Sequence, residues 1–316
     1  MTVRVVRALP RLDVGAPITV GPGAGVPTVA SGAVWVPTTN DGGLVKVVGG
    51  AVASRTQVGP RSVSSEGYLD AATAGGGAIW SASDIGSTIA RVDAASGATT
   101  TVTVLERPGG LTEGGGAVWA FHFLQPAITR IDEASRATTR RDVGGASGVG
   151  LAYGGGSLWL LSVRPSRVLE LDPASGALRR TIPLNPRLAR RGSLIDAWWL
   201  AYGEGAIWAT LPNHHAVARV DAPTGAVRYV SLDQGQPFGI AVGGGSAWVA
   251  TDRGVVRLEG GTGIPVGAAE LARTQTTAFV SVAYGEGAAW VTNFDRGTLT
   301  RVDDPATHRA LKTPPR

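Results

Sequence analysis

Apolar and small residues recur along this chain in short runs that alternate with polar positions, and each run is closed by glycine or by an Asp-containing turn. Alternation of period two marks half-buried strands, because successive side chains of an extended chain point to opposite faces. The fourth repeat shows the grammar most plainly, with runs at 148–153, 157–162, 167–171 and 177–184. The second run of each repeat carries a tryptophan shortly after a small-residue turn, at Trp35, Trp80, Trp119, Trp159, Trp208, Trp248 and Trp290. A beat of about 40 residues is the signature of a repeat array.

The links between runs have their own chemistry. Gly154-Gly155-Gly156 suits a two-residue or bulged hairpin, since primed turns need the positive φ that glycine adopts without steric cost. Asp172-Pro173-Ala174-Ser175-Gly176 offers a carboxylate for an Asx turn and a glycine to close it. Asp93 to Gly97 and Asp221 to Gly225 match it; Asp132 to Arg136 ends on arginine. Repeats one and six are expected to use the glycine pairs Gly49-Gly50 and Gly260-Gly261 instead. No helix-period segment of useful length interrupts the series.

Each repeat is therefore read as a four-stranded antiparallel meander. A lone sheet cannot hide two apolar faces, but sheets arranged radially bury each face against the next. That arrangement is an all-β, seven-bladed β-propeller. A single domain over 1–316 is expected, with repeats near 27–58, 67–105, 108–144, 148–184, 197–233, 237–267 and 279–313. Two stretches compete to complete the last blade: 16–21, within an N-terminal segment 1–26, or 308–313.

Composition changes this picture little. The 46 glycines would suggest low complexity if scattered, yet they fall at fixed offsets as turn residues. A net charge of +5 gives weak polyanion attraction and no more. Zero cysteines remove disulfides, thiolate metal sites and cysteine nucleophiles. With no signal-like h-region and no long apolar stretch, a soluble cytoplasmic monomer is expected, or an extracytoplasmic one if the chain is part of a longer protein.

Candidate chemistry gathers where second-to-third-strand links and inter-blade links open on one rim. His122, Asn213, His214 and His215 lie there, and adjacent His214 and His215 point to opposite sides if their segment is extended. Asn40, Asp84, Asp252, Arg253, Asn293, Asp295 and Arg296 share the rim, which locates a mouth without naming a ligand. Trp198 stands off the beat at the end of a long insertion and is a candidate binding aromatic. Arg187, Arg190 and Arg191 in that insertion form a candidate patch for an acidic partner; nucleic acid is disfavoured because stacking aromatics are not interleaved. No metal-ligand spacing such as HExxH occurs, and the glycine triplets lack the GxxxxGK[ST] or GxGxxG context of phosphate loops. The repeated aspartates read as turn closure and the seven tryptophans as inter-blade core.

Over 27–313 the phrase Gly-x-Gly-[Ala/Ser]-x-Trp followed by [Arg/Glu]-[Val/Ile/Leu]-Asp-x-x-[Ser/Thr]-Gly resembles the streptogramin (virginiamycin B) lyase-like superfamily of bacterial seven-bladed propellers. The resemblance implies two roles: metal-dependent lyases that open a cyclic ester, and propellers that bind or sense. The lyases use histidines entering first strands and glutamates just after the tryptophan strand, to hold a divalent ion and supply a base. Here no glutamate follows any of the seven tryptophans at that place, and only His122 stands somewhere suggestive. The expectation is a binding or sensing propeller without catalytic residues or cofactor, taking a small molecule or protein at the rim. A lyase or lactone hydrolase using a divalent metal is the alternative, and an acidic-partner or nucleic-acid binder the second.

Overall fold

The computed structural model describes residues 9–61, 70–83, 86–123, 125–144, 147–163, 165–184, 197–273 and 280–304. Their strands form seven antiparallel sheets, six of four strands and one completed from the N-terminal side. Blade four is typical: Ser147–Gly154, Ser157–Val163, Arg167–Leu171 and Leu178–Pro183 pair in sequence order. First strands of consecutive blades lie side by side, and that of blade seven, Val280–Gly285, meets that of blade one, Thr28–Ala30, so the ring is shut. Second strands such as Ala117–His122 are buried along their whole length, whereas outermost strands such as Thr99–Thr103 are mostly exposed. Among the described residues no helix is long and apolar enough to cross a membrane.

The core is seven clusters, one in each gap between neighbouring blades. Every gap holds one repeat tryptophan, all of them buried. Each indole Nε1–H donates to the backbone carbonyl five residues earlier, at 3.0 Å from Trp159 to Gly154 and 3.3 Å from Trp208 to Gly203. The one polar atom of the side chain is thus satisfied inside the gap.

The glycine at that acceptor position has a second duty. A Cβ on Gly154 would fall 1.9 Å from Tyr202 of the next blade, one on Gly243 2.1 Å from Tyr284, and one on Gly285 2.5 Å from Val29 across the ring closure. Blade one has Ala30 in this place, and small Ala74 of blade two packs against the same cluster. The turns that follow are two-residue hairpins with both residues at positive φ, as at Gly155 (62°) and Gly156 (72°).

Above each indole sits a cation that the sequence reading did not single out. The third-strand residue paired with the tryptophan is Lys46, Arg91, Arg130, Arg219, Arg257 or Arg301, each 5.0–5.9 Å from the ring centre. Blade four has Glu170 there, and its cation comes one strand further out: Arg180 lies 5.8 Å above Trp159 and is ion-paired to Glu170 at 2.8 Å.

The third turns close as expected. Asp172 Oδ1 accepts from the Ser175 amide (2.7 Å) and hydroxyl (2.8 Å), and these hydrogen bonds hold its carboxyl near pKa 2. Arg136 takes the left-handed position (φ 63°) that glycine fills at Gly97, Gly176 and Gly225. Blade one turns on the Gly49-Gly50 pair, but blade six does not use a glycine pair. It keeps the five-residue turn with Glu259 as the carboxylate, accepting from the Thr262 hydroxyl, and Gly263 as the left-handed residue (φ 78°).

The N-terminal residues act as a clasp. Leu12 donates its amide to Ala268 of blade six and buries its side chain in the cluster between blades six and seven. Asp13–Val14 and Ile18–Thr19 then pair with Thr298–Asp303 as the outermost strand of blade seven. A one-residue bulge at 15–17 breaks the register. Val26 finally bridges to Ala71 of blade two. The competing stretch 308–313 lies outside the described residues.

Candidate functional site

Loops between second and third strands, and links from outermost strands to the next blade, share the upper face. The structure separates the rim residues the sequence had grouped. His122 ends the second strand of blade three and is fully buried. Its Nδ1 lies 3.1 Å from the Glu106 carbonyl and its Nε2 2.8 Å from the Thr129 hydroxyl. A carbonyl only accepts, so Nδ1 carries the proton and Nε2 accepts from Thr129. Burial holds the imidazole neutral, with its pKa lowered to about 4. Neither nitrogen is left for a metal or a substrate proton.

Asn40 packs against the N-terminal clasp, its amide 3.4 Å from the Pro22 carbonyl. Asp252 accepts from the Gln236 amide at 2.7 Å, a loop-closing bond. Asn213, His214 and His215 are not extended: Pro212–His214 is a 3-10 turn and His215 is left-handed at φ 48°. Opposite-facing histidines are therefore replaced by a tight corner at blade five, remote in sequence and blade from His122. Trp198 is half-buried and packs against the cluster between blades six and seven, while Trp199 packs into the gap between five and six. Asp84, Arg187, Arg190 and Arg191 lie outside the described residues. Among those described, no three His, Asp or Glu side chains converge as a ligand set.

What does converge is in the sector of blades six and seven. A cleft of about 500 Å3 lies between them. Its floor is Leu271, Val280 and Val291, and one wall is the bulged clasp at Val14, Gly15 and Pro17. Thr298 and Thr300 of the third strand line it. Asn293 shapes its mouth, donating Nδ2 to the Ala272 carbonyl at 3.0 Å and accepting the Arg296 amide at 3.1 Å. The exposed Arg296 side chain follows from that turn, beside Asp295. The cleft exists because the bulge leaves Thr300 without an outer partner strand.

A second cleft, also about 500 Å3, adjoins it on the other side of the outermost strand of blade six. Arg11 from the clasp, Arg253, Asp233 and Gln234 line it, and Glu270 lines both clefts. Sequence reasoning found Arg253, Asn293 and Arg296 but missed Arg11, since nothing in 1–26 announces that the chain returns along blade six.

No protein-family model and no curated protein sequence matches the chain. Solved structures do. Hydrazine synthase of Kuenenia stuttgartiensis aligns at 14% identity over 96% of this chain and 99% of that one, TM-score 0.70. The β-propeller domain of Cps50 (Swd1) from Myceliophteria thermophila aligns at 12% identity over 93% and 99%, TM-score 0.72. YCF48 bound to D1 peptide aligns at 12% identity over 98% and 100%, TM-score 0.67. At such identities the likeness establishes the fold, a seven-bladed β-propeller with four-stranded antiparallel blades.

Proposed function

We propose that the protein is a binding propeller that needs no cofactor, with its recognition surface on the upper face at blades six and seven. The observation that carries this reading is the pair of adjoining clefts, built on rigid strands and lined by a few polar groups over an apolar floor. Loops and gaps on a stiff scaffold are where propellers of one shape acquire different partners. The repeat's resemblance to the lyase-like superfamily supports placement among its members that bind or sense. The metal-dependent lyase would need a cation and a base at the mouth, and His122, the residue nearest that pattern, has both ring nitrogens engaged.

The test is occupancy of the cleft. Thr298→Trp and Thr300→Trp fill the space between blades six and seven from its third-strand wall. Against a panel of extended octapeptides of varied charge, the unmodified protein is expected to bind a subset, and these variants to lose it without a change in melting temperature. Equal binding by the filled variants overturns the assignment of the site.

A further inference from the structure

Many of the described arginines are used internally: Arg55 pairs with Asp41 at 2.9 Å, Arg180 with Glu170 at 2.8 Å, Arg301 with Asp303 at 2.8 Å, and Arg257 with Asp304. Arg91 and Arg219 sit over tryptophans and donate to carbonyls. Other exposed arginines make no ion pair and no hydrogen bond among the described residues: Arg61, Arg136 and Arg228 stand singly, whereas Arg11, Arg253, Arg273 and Arg296 fall together in the sector of blades six and seven.

Three of the four line the two clefts, and Arg273 follows Ala272 at the rim of the first. Asp233 and Glu270 are the carboxylates among the lining residues, so cations are in excess. Arg11 and Arg253 line one cleft and Arg296 the other, and the two adjoin at Glu270, so the cations are distributed along both and fit an extended ligand that carries several negative charges.

We propose that an acidic, extended peptide segment of a partner protein lies across the two clefts, its carboxylates against Arg11, Arg253 and Arg296. The inference rests on the binding reading above and gives that site its partner's chemistry. Guanidinium is suited to this task, since its planar fork meets carboxylates in pairs and its weak hydration lowers the cost of contact. Glu270, lining both clefts, disfavours chains with uniform negative charge at their centre, so a segment with an uncharged residue between acidic flanks fits best.

Fluorescence anisotropy with labelled octapeptides provides the test: one rich in glutamate, one rich in lysine, one of glycine and serine, together with a single-stranded oligonucleotide. The glutamate peptide is expected to bind at low salt and to weaken about tenfold as ionic strength rises to a few tenths molar, because exposed charges are screened within about 10 Å. An Arg11→Glu, Arg253→Glu, Arg296→Glu variant should lose at least about tenfold in affinity at an unchanged melting temperature. Arg136→Glu, in a lower-face turn of blade three, should leave binding as it was. Equal binding of the glutamate peptide by the triple variant overturns the proposal. Binding of the lysine or neutral peptide that Thr300→Trp abolishes refutes acidic recognition while sustaining the binding reading; tighter binding of the oligonucleotide assigns the sector to nucleic acid instead. Failure of every probe counts against both readings.

Discussion

Replacing Trp159 by alanine tests the idea that one aromatic wedge per gap holds the ring together. The indole is 2% exposed, donates to the Gly154 carbonyl at 3.0 Å, stacks on Tyr202 of the next blade at 6.4 Å and 11°, and is covered by Arg180. Truncation removes the transfer free energy of a large aromatic and leaves a cavity that two packed sheets cannot close, which places the cost at about 3–5 kcal/mol. The stacking and the hydrogen bond belong to that figure and are not added to it. A chain of 316 residues has an unfolding entropy near 0.7 kcal/mol per kelvin at its midpoint, so the melting temperature should fall by about 5–8 °C. Thermal unfolding followed by far-ultraviolet circular dichroism reads this directly, and urea titration gives the free energy if the transition is two-state. Trp159→Phe is expected to recover roughly half, keeping a ring for Tyr202 and Arg180 while losing the Nε1–H donor. A fall below about 2 °C for the alanine variant would mean that the tryptophans are not the inter-blade core.

Two further outcomes follow from the same geometry. Gly154→Ala should cost about 1–3 kcal/mol by urea titration, since its Cβ would lie 1.9 Å from Tyr202. Tyr202→Ala should cost less in the Gly154→Ala background than in the unmodified protein, because the clash is then gone; strict additivity would deny the contact. His122 is held at about pKa 4 against an ordinary 6.5, so the unfolded chain takes the proton first. Its contribution is therefore whole above about pH 6.5 and is lost as pH falls towards 4, by up to about 3 kcal/mol. Stability measured across that window should slope less in His122→Gln, and an identical slope would show that the imidazole is not held neutral.

The ring was legible because its physics repeats. A tryptophan and a two-residue turn recur in all seven repeats and an Asp-led turn in four, and each reports a local requirement that repetition makes unmistakable. Strand limits in blade four came within a residue or so of Ser147–Gly154 and Leu178–Pro183 for the same reason. What escaped were terms satisfied across strands. Arg180 covers Trp159 only because Glu170 occupies the usual cation's place, a substitution that reads in sequence as the loss of a feature and in space as its relocation. Glu259 was overlooked as a turn carboxylate because the glycines beside it, Gly260 and Gly261, dominate the local signal.

The site was much less legible, and the reason lies in how a propeller makes one. Its blades are near copies, so their conserved grammar describes the scaffold, and recognition must come from where the copies differ. Only a difference inside one repeat is visible along the chain. Asn293 and Arg296 are of that kind, the first standing where other repeats carry Ser83 or Thr251 and the second where they carry Gly86 or Gly254. The cleft itself comes from a different source: the clasp that replaces a fourth strand in blade seven is bulged at Gly15 to Pro17, and Arg11 reaches blade six from the far end of the sequence. Joining first to last places the most irregular edge of the ring at the seam. The seam is thus both the point where closure depends on the fewest paired residues and the point where an outside chain finds unpaired surface, so stability and recognition draw on the same few residues.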